Sequence, residues 1–179
     1  MFSIENGVLT PAMQIASPNF NTRRSPEINL LVIHNISLPR SCFGTGHVQA
    51  LFTNTIDCKA HTSFESLNGV HVSAHLFVER NGKVTQFVNF GQRAWHAGAS
   101  SFDGIPECND YSIGIELEGC DEIAYTAKQY RTLVALARSI MQHYPKITAD
   151  RIVGHEHIAP TRKTDPGIAF DWPWFKSTL

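Results

Sequence analysis

The sequence has no surplus of either charge. Fifteen lysines and arginines stand against 16 acidic residues, for a net charge of -1. That balance gives no sign of a basic surface for nucleic acid or an anionic membrane, and neither partner is expected. No apolar run approaches the roughly 20 residues needed to cross a bilayer. The opening stretch Met1-Phe2-Ser3-Ile4-Glu5-Asn6-Gly7 lacks the basic start and apolar core of a secretory signal. The four cysteines, Cys42, Cys58, Cys108 and Cys120, contain no C-x-x-C pair and are too few for a disulfide scaffold. They read as reduced thiols, mostly small buried side chains, in a cytoplasmic protein. Charged residues make up only 17% of the chain, and repeats and low-complexity tracts are absent. A chain of 179 residues is expected to form one domain, 1–179, and to be monomeric.

Histidine, by contrast, is abundant. His34, His47, His61, His71, His75, His96, His143, His155 and His157 make nine. Histidine is the commonest metal ligand and the usual general base near neutral pH.

Residues 1–28 are polar, carry prolines at 11, 18 and 26, and read as an irregular segment wrapping the surface. Residues 28–33 are apolar and rich in branched side chains, which predicts a buried strand with His34 at its C-terminal end. Residues 47–52 suit a short helix and residues 62–69 a loop. Residues 73–79 and 83–88 flank Asn81-Gly82, the strongest hairpin signal in the chain. A long loop is expected from Trp95 to Asn109, and residues 112–117 alternate as a strand. The clearest helix runs from Thr126 to His143. Thr126 and Gln129 form a capping box; Leu133, Val134, Ala137 and Ile140 recur at helical spacing, and Pro145 ends it. Residues 150–154 read as extended, 155–170 as loop, and a last short helix begins at Asp171.

His71 and His75 are four apart. On a strand that spacing covers about 13 Å, too far to share an ion, so burial in the sheet or substrate contact is expected instead. His155 and His157 are two apart and, on extended chain, would face one side about 6.5 Å apart. One can ligate while the other supports it. Nearby, Pro166 biases Asp165 toward extended backbone and Gly167 permits a sharp turn. Two histidines and a carboxylate fit a catalytic zinc site that keeps a fourth position open. Spacing alone does not join His34 to this distant loop.

Four segments carry a resemblance. They are Val32-Ile33-His34-Asn35-Ile36-Ser37, Arg93-Ala94-Trp95-His96-Ala97-Gly98, residues 108–119 (Cys-Asn-Asp-Tyr-Ser-Ile-Gly-Ile-Glu-Leu-Glu-Gly), and Gly154-His155 with Ile158-Ala159-Pro160 and Arg162-Lys163-Thr164-Asp165-Pro166-Gly167. In order, from about residue 15 to 175, the chain resembles the AmpD family of cytoplasmic 1,6-anhydro-N-acetylmuramyl-L-alanine amidases. These lie within the N-acetylmuramoyl-L-alanine amidase and peptidoglycan recognition protein superfamily. The resemblance implies an α/β (α+β) domain, a mixed central β-sheet flanked by helices. It implies zinc ligands His34, His155 and Asp165, an acidic catalytic Glu116 and a cationic catalytic Lys163. The implied substrate is a small anhydromuramyl-peptide from wall turnover, cut between its lactyl group and L-alanine in peptidoglycan recycling.

Asn35, His96 and Trp95 are expected along the groove, although a tryptophan is more often core. Three positions depart from the family pattern. Glu107 stands where a basic residue is expected, His71 where arginine is, and His157 where a smaller polar residue is. Glu107 and His71 bear on substrate contact; His157 is expected to support the metal or compete for it. Two other readings remain at this point: a lytic amidase acting on intact wall, and a non-catalytic peptidoglycan-binding module.

Overall fold

The computed structural model describes residues 1–24 and 27–179; Pro26 lies outside them. In chain order the strands are β1 (Ser3–Glu5), β2 (Val8–Thr10), β3 (Met13–Gln14), β4 (Phe20–Thr22) and β5 (Leu30–Ile36), followed by helix α1 (His47–Phe52). Next come β6 (Leu76–Val78), β7 (Val84–Gln86), β8 (Gln92–Ala94), β9 (Ser101–Phe102), β10 (Ile105–Pro106) and β11 (Ser112–Glu118). The chain closes with α2 (Ala127–His143), β12 (Ile152–Gly154), α3 (His155–Ile158) and α4 (Trp172–Ser177).

Six strands form the central sheet in the order β12-β5-β11-β6-β7-β3. The first four run parallel, β7 returns antiparallel to β6, and β3 pairs parallel with β7. The sheet is therefore mixed, as expected. The antiparallel turn is the Asn81-Gly82 hairpin, where Gly82 takes φ +84 and Glu79 and Lys83 close the loop by a backbone hydrogen bond of 3.0 Å.

Parallel strands at the centre of a sheet are covered on both faces, and β11 is buried along its whole length. On one face Leu31, Ile33, Ile113, Ile115 and Leu117 pack against α2 through Leu133, Val134, Leu136, Ala137 and Ile140. Helix α2 begins as the sequence predicts: Thr126 accepts from the Gln129 backbone, and the Gln129 side chain accepts from the Thr126 backbone. The opposite face carries Leu30 and Val32, packed with Ala97, Cys108, Tyr111 and Ile158. His34, Ser112, Gly114 and Glu116 continue along that face. It is the alternation of β11, polar on one side and apolar on the other, that the sequence shows. Both sides are interior.

Several expectations need correcting. Residues 1–24 are not merely an irregular surface wrap. They contribute β1 and β2 as a hairpin, β3 at the sheet edge and β4 paired with β8, and they bury Leu9. These strands are two or three residues long, too short to carry a periodic signal. Residues 62–67 form a 3-10 turn rather than open loop, and β9 and β10 make a small hairpin inside the long loop. Strand β5 runs two residues past His34, held there by β11. Residues 155–158 form a helical turn where loop was expected. Of the cysteines, Cys108 and Cys120 are buried, Cys58 is half-buried and Cys42 is exposed, all as free thiols.

Leu133 is fully buried between α2 and the sheet. Leu133→Ala should lower unfolding free energy by about 2–5 kcal/mol, measured by urea denaturation, with the donor cluster described below intact in the folded fraction.

Candidate metal centre

Register builds the site. In the parallel pairing of β11 with β5, Glu116 lies directly opposite His34. Paired residues of parallel strands point to the same face, so both side chains enter the interior away from α2. On the other flank of β5, β12 ends at Gly154, and His155 opens α3 immediately after it. The chain then loops back. The Glu156 backbone N–H donates to the Asp165 carbonyl at 2.9 Å, which ties the Asp165 loop to the start of α3. Asn35 donates from Nδ2 to the Pro166 carbonyl at 3.0 Å and to Asp121 at 2.8 Å, and the Tyr125 hydroxyl donates to the same carbonyl at 2.7 Å. Gly167, at φ +83, lies against the Asp121 backbone so closely that a Cβ would fall 2.2 Å from Asp121 Cα.

Three side chains converge there. His34 Nδ1 is 2.9 Å from His155 Nδ1, and each is 3.0 Å from Asp165 Oδ2. These residues form the only group of three or more candidate metal ligands among the described residues. His34 and His155 are almost fully buried, and the Asp165 side chain is 13% exposed. Burial keeps the His34 imidazole neutral, its pKa lowered to about 4. Burial acts upward on the Asp165 carboxyl, but the two imidazoles beside it hold it well below the ordinary carboxylate range. A carboxylate and two imidazoles on one point make an N2O donor set of the kind that holds a divalent transition-metal ion.

Glu116 borders the same cleft with Asn35, Trp95, His96, Lys163 and Asp165. Burial and the neighbouring Asp165 carboxylate raise the Glu116 pKa well above its usual value, with Lys163 pulling the other way. Its Oε2 is buried and has no hydrogen-bond partner among the described residues. Glu118, two residues along on the same face, differs. Its oxygens accept from the backbones of Gly44 and Arg80, so it is a structural anchor. Lys163 is exposed at the cleft.

The other sequence candidates fall out differently. Trp95 is half-buried at the cleft, not core, with its indole N–H on Asn21 at 2.8 Å. Asn35 reaches the cleft, but its amide braces the Asp165 loop. His96 is buried beside His34, with its Nδ1 2.9 Å from His34 Nε2. His157 is not aligned with His155. On a helical turn two residues are rotated by about 200°, and the half-exposed His157 ring accepts instead from the Gly154 backbone at 2.9 Å. His71 is exposed just before the cleft residues Val72 and Ser73. Glu107 is exposed and pairs with Arg93 at 3.0 Å.

Three residues near the site were not assigned roles from the sequence. Arg162 donates to the carbonyls of Ala97 and Ala99, both at 2.7 Å, and clamps the 97–99 loop against the His155 side. Asn109 Oδ1 accepts from the backbones of His96 and Ala97. Ser112 touches His96. All three sit inside the segments that carry the family resemblance, which is the one signal that marked them.

The sequence matches the N-acetylmuramoyl-L-alanine amidase family (Amidase_2) over residues 23–168. It is 52% identical over 177 residues to the 1,6-anhydro-N-acetylmuramyl-L-alanine amidase AmpD of Haemophilus influenzae, covering 98% of this chain and 96% of that one. The crystal structure of a selenomethionine derivative of AmpD superposes with a TM-score of 0.95 at 47% identity, covering 98% of each chain. AmpDh3 of Pseudomonas aeruginosa, solved with an anhydromuramic pentapeptide, gives a TM-score of 0.67 at 26% identity, covering 92% of this chain and 65% of that one. With a matched segment that spans β5, β11, β12 and the Asp165 loop, the chain belongs to the N-acetylmuramoyl-L-alanine amidase family.

Proposed function

We propose that this protein is a zinc-dependent amidase of peptidoglycan recycling. It hydrolyses the amide between the lactyl group of 1,6-anhydro-N-acetylmuramic acid and L-alanine in soluble wall fragments, in the cytoplasm. The observation that carries this reading is the convergence of His34, His155 and Asp165, with donor atoms 2.9–3.0 Å apart, beside a buried carboxyl whose Oε2 has no hydrogen-bond partner among the described residues. The near full-length likeness to AmpD supports the substrate class, as does a relative solved with an anhydromuramic pentapeptide. Among the described residues no helix is long and apolar enough to cross a membrane.

His34, His155 and Asp165 would hold the zinc ion. Bound zinc supplies two things, a scissile carbonyl polarised for attack and a water whose pKa is lowered toward neutrality. Glu116 is the proton carrier. Its Oε2, free of protein hydrogen bonds, takes the proton of the attacking water and delivers it to the leaving nitrogen. The water oxygen joins the carbonyl carbon, the carbon–nitrogen bond breaks, and a lactyl carboxylate and the L-alanine amine result. Burial raises the Glu116 pKa, and that serves the second half of this cycle: once the carboxylate has taken the water's proton, the raised pKa helps it keep that proton for the leaving nitrogen. The Lys163 ammonium, at the mouth of the cleft, stabilises the negative oxygen of the tetrahedral intermediate.

Glu116→Gln should leave zinc content unchanged by metal analysis and reduce kcat by about 10²–10⁴-fold. Turnover near the normal rate would remove Glu116 from the mechanism. Stripping the protein with a chelator should abolish cleavage of anhydromuramyl-tripeptide, and stoichiometric zinc should restore it. Chromatographic assays should show the soluble fragment cleaved in preference to whole sacculi. Preference for sacculi would point to a lytic amidase, and zinc-independent binding without cleavage to a recognition module.

A further inference from the structure

His96 lines the cleft, as expected, but its ring is largely buried. Its ring sits beneath β11, where Gly114 has no side chain to exclude it. A Cβ on Gly114 would come within 2.5 Å of the His96 ring. The ring meets His34 edge-on, with centroids 5.0 Å apart and planes at 82°. Its backbone is fixed on both sides, since the N–H groups of His96 and Ala97 both donate to Asn109 Oδ1.

Proton positions along this contact follow from the oxygen at its far end. Ser112 Oγ lies 2.6 Å from the Cys108 carbonyl oxygen. Two oxygens that close need a proton between them, and the carbonyl has none to give. The single hydroxyl proton of Ser112 therefore points at Cys108. What Ser112 Oγ presents to His96 Nε2, 3.1 Å away, is a lone pair. So Nε2 carries the proton of a neutral His96, and Nδ1 is bare. His96 Nδ1 in turn lies 2.9 Å from His34 Nε2, and the proton between them belongs to His34. The nitrogen of His34 left to serve as a ligand is then Nδ1, which faces His155 and Asp165. On the other side, His155 Nε2 lies 3.0 Å from the Ala97 carbonyl and must be the donor there, which bares its own Nδ1.

We propose that His96 is a positioning residue for the metal centre. Through the one-way chain Cys108 carbonyl, Ser112 hydroxyl, His96, it fixes His34 as the Nε2–H tautomer and so presents the Nδ1 lone pair as a ligand. The inference rests on the zinc reading of the preceding section. Ligating histidines are commonly oriented by a carboxylate or a backbone carbonyl, and losing such a partner typically weakens metal binding about 10–100-fold. Here a second neutral imidazole does that work, so His34 is oriented without adding negative charge to a site that already holds Asp165 and Glu116.

The test begins with the zinc-free, unmutated protein, labelled with nitrogen-15. Two-bond proton–nitrogen correlation spectra distinguish the imidazole tautomers. His96 should appear as the Nε2–H form. A protonated Nδ1 on His96 would overturn the proposal. The spectra need no bound zinc, so they decide the chain of hydrogen bonds whether or not the zinc reading holds. Zinc binding by the unmutated protein tests that reading separately. Competition with a chelator then gives zinc affinity for two variants. His96→Leu, which removes the acceptor and keeps bulk, should bind zinc about 10–100-fold more weakly. His96→Asn, whose Oδ1 can stand where Nδ1 was, should recover most of that loss. Equal zinc affinity in His96→Leu and the unmutated protein would also overturn the proposal.

Discussion

The site depends on one register. Strands β5 and β11 run parallel with Glu116 opposite His34, and side chains in strands alternate strictly between faces. A slip of one residue would turn either side chain onto the face packed by α2 and leave a buried imidazole or carboxyl among Leu133, Ala137 and Ile140. The apolar side chains at alternate positions therefore hold the chemistry in place. Ile113, Ile115 and Leu117 from β11, with Leu31 and Ile33 from β5, bind one face to α2. That fixes which residues stand on the other. His34, Glu116 and His155 also all lie at or just past the C-terminal halves of parallel strands. The chain enters loops there, and open parallel sheets usually place ligand sites at that end.

Electrostatics separates the members of this face. Glu118 and Glu116 are two residues apart on one strand and equally interior, yet Glu118 is satisfied by two backbone donors and Glu116 keeps an unpartnered oxygen. A buried acceptor left unpaired is costly. The cost is reduced by a raised pKa, since the carboxyl can be neutral. Asp165 meets the opposite situation: two imidazoles face its carboxylate and keep it ionised. Two acids about one cleft are thus driven apart in pKa by their surroundings, as the proposed roles of ligand and proton carrier require.

The sequence made some of this plain and hid the rest for physical reasons. Helix α2 was legible because seventeen residues with a capping box repeat one spacing many times. The Asn81-Gly82 turn was legible because few dipeptides tolerate its backbone, and α4 because Asp171 caps it. The strands β1 to β4 have two or three residues each and exist only through their partners. His155 and His157 were placed on extended chain because a four-residue helix has no periodicity to betray it. Residue chemistry nominated the 155–165 loop as a candidate metal site, but only the family resemblance attached His34 to it, from 121 residues away. The buried chain from Ser112 through His96 was beyond reach altogether. It joins residues 16 and 62 apart by single hydrogen bonds that leave no pattern in the sequence.

Gly114 shows how the demands of the site overrule local preference. Glycine inside a strand costs roughly 0.5–1 kcal/mol relative to alanine, because more backbone freedom is lost. It stands at the centre of a fully buried strand between two isoleucines, where a branched residue would ordinarily favour the sheet. Yet any Cβ there would meet the His96 ring at 2.5 Å, against a residue pinned through its backbone by Asn109 and through its ring by Ser112, and unable to retreat cheaply. The strand gives up propensity so that an imidazole can lie flush beneath it, beside His34 and in line with Ser112. Read from the sequence, Ser-Ile-Gly-Ile-Glu-Leu-Glu is an ordinary alternating strand. In the fold its small and polar positions are the floor of the site: Ser112 orients His96, Gly114 admits it, Glu116 faces the cleft, and Glu118 anchors the loops at the end.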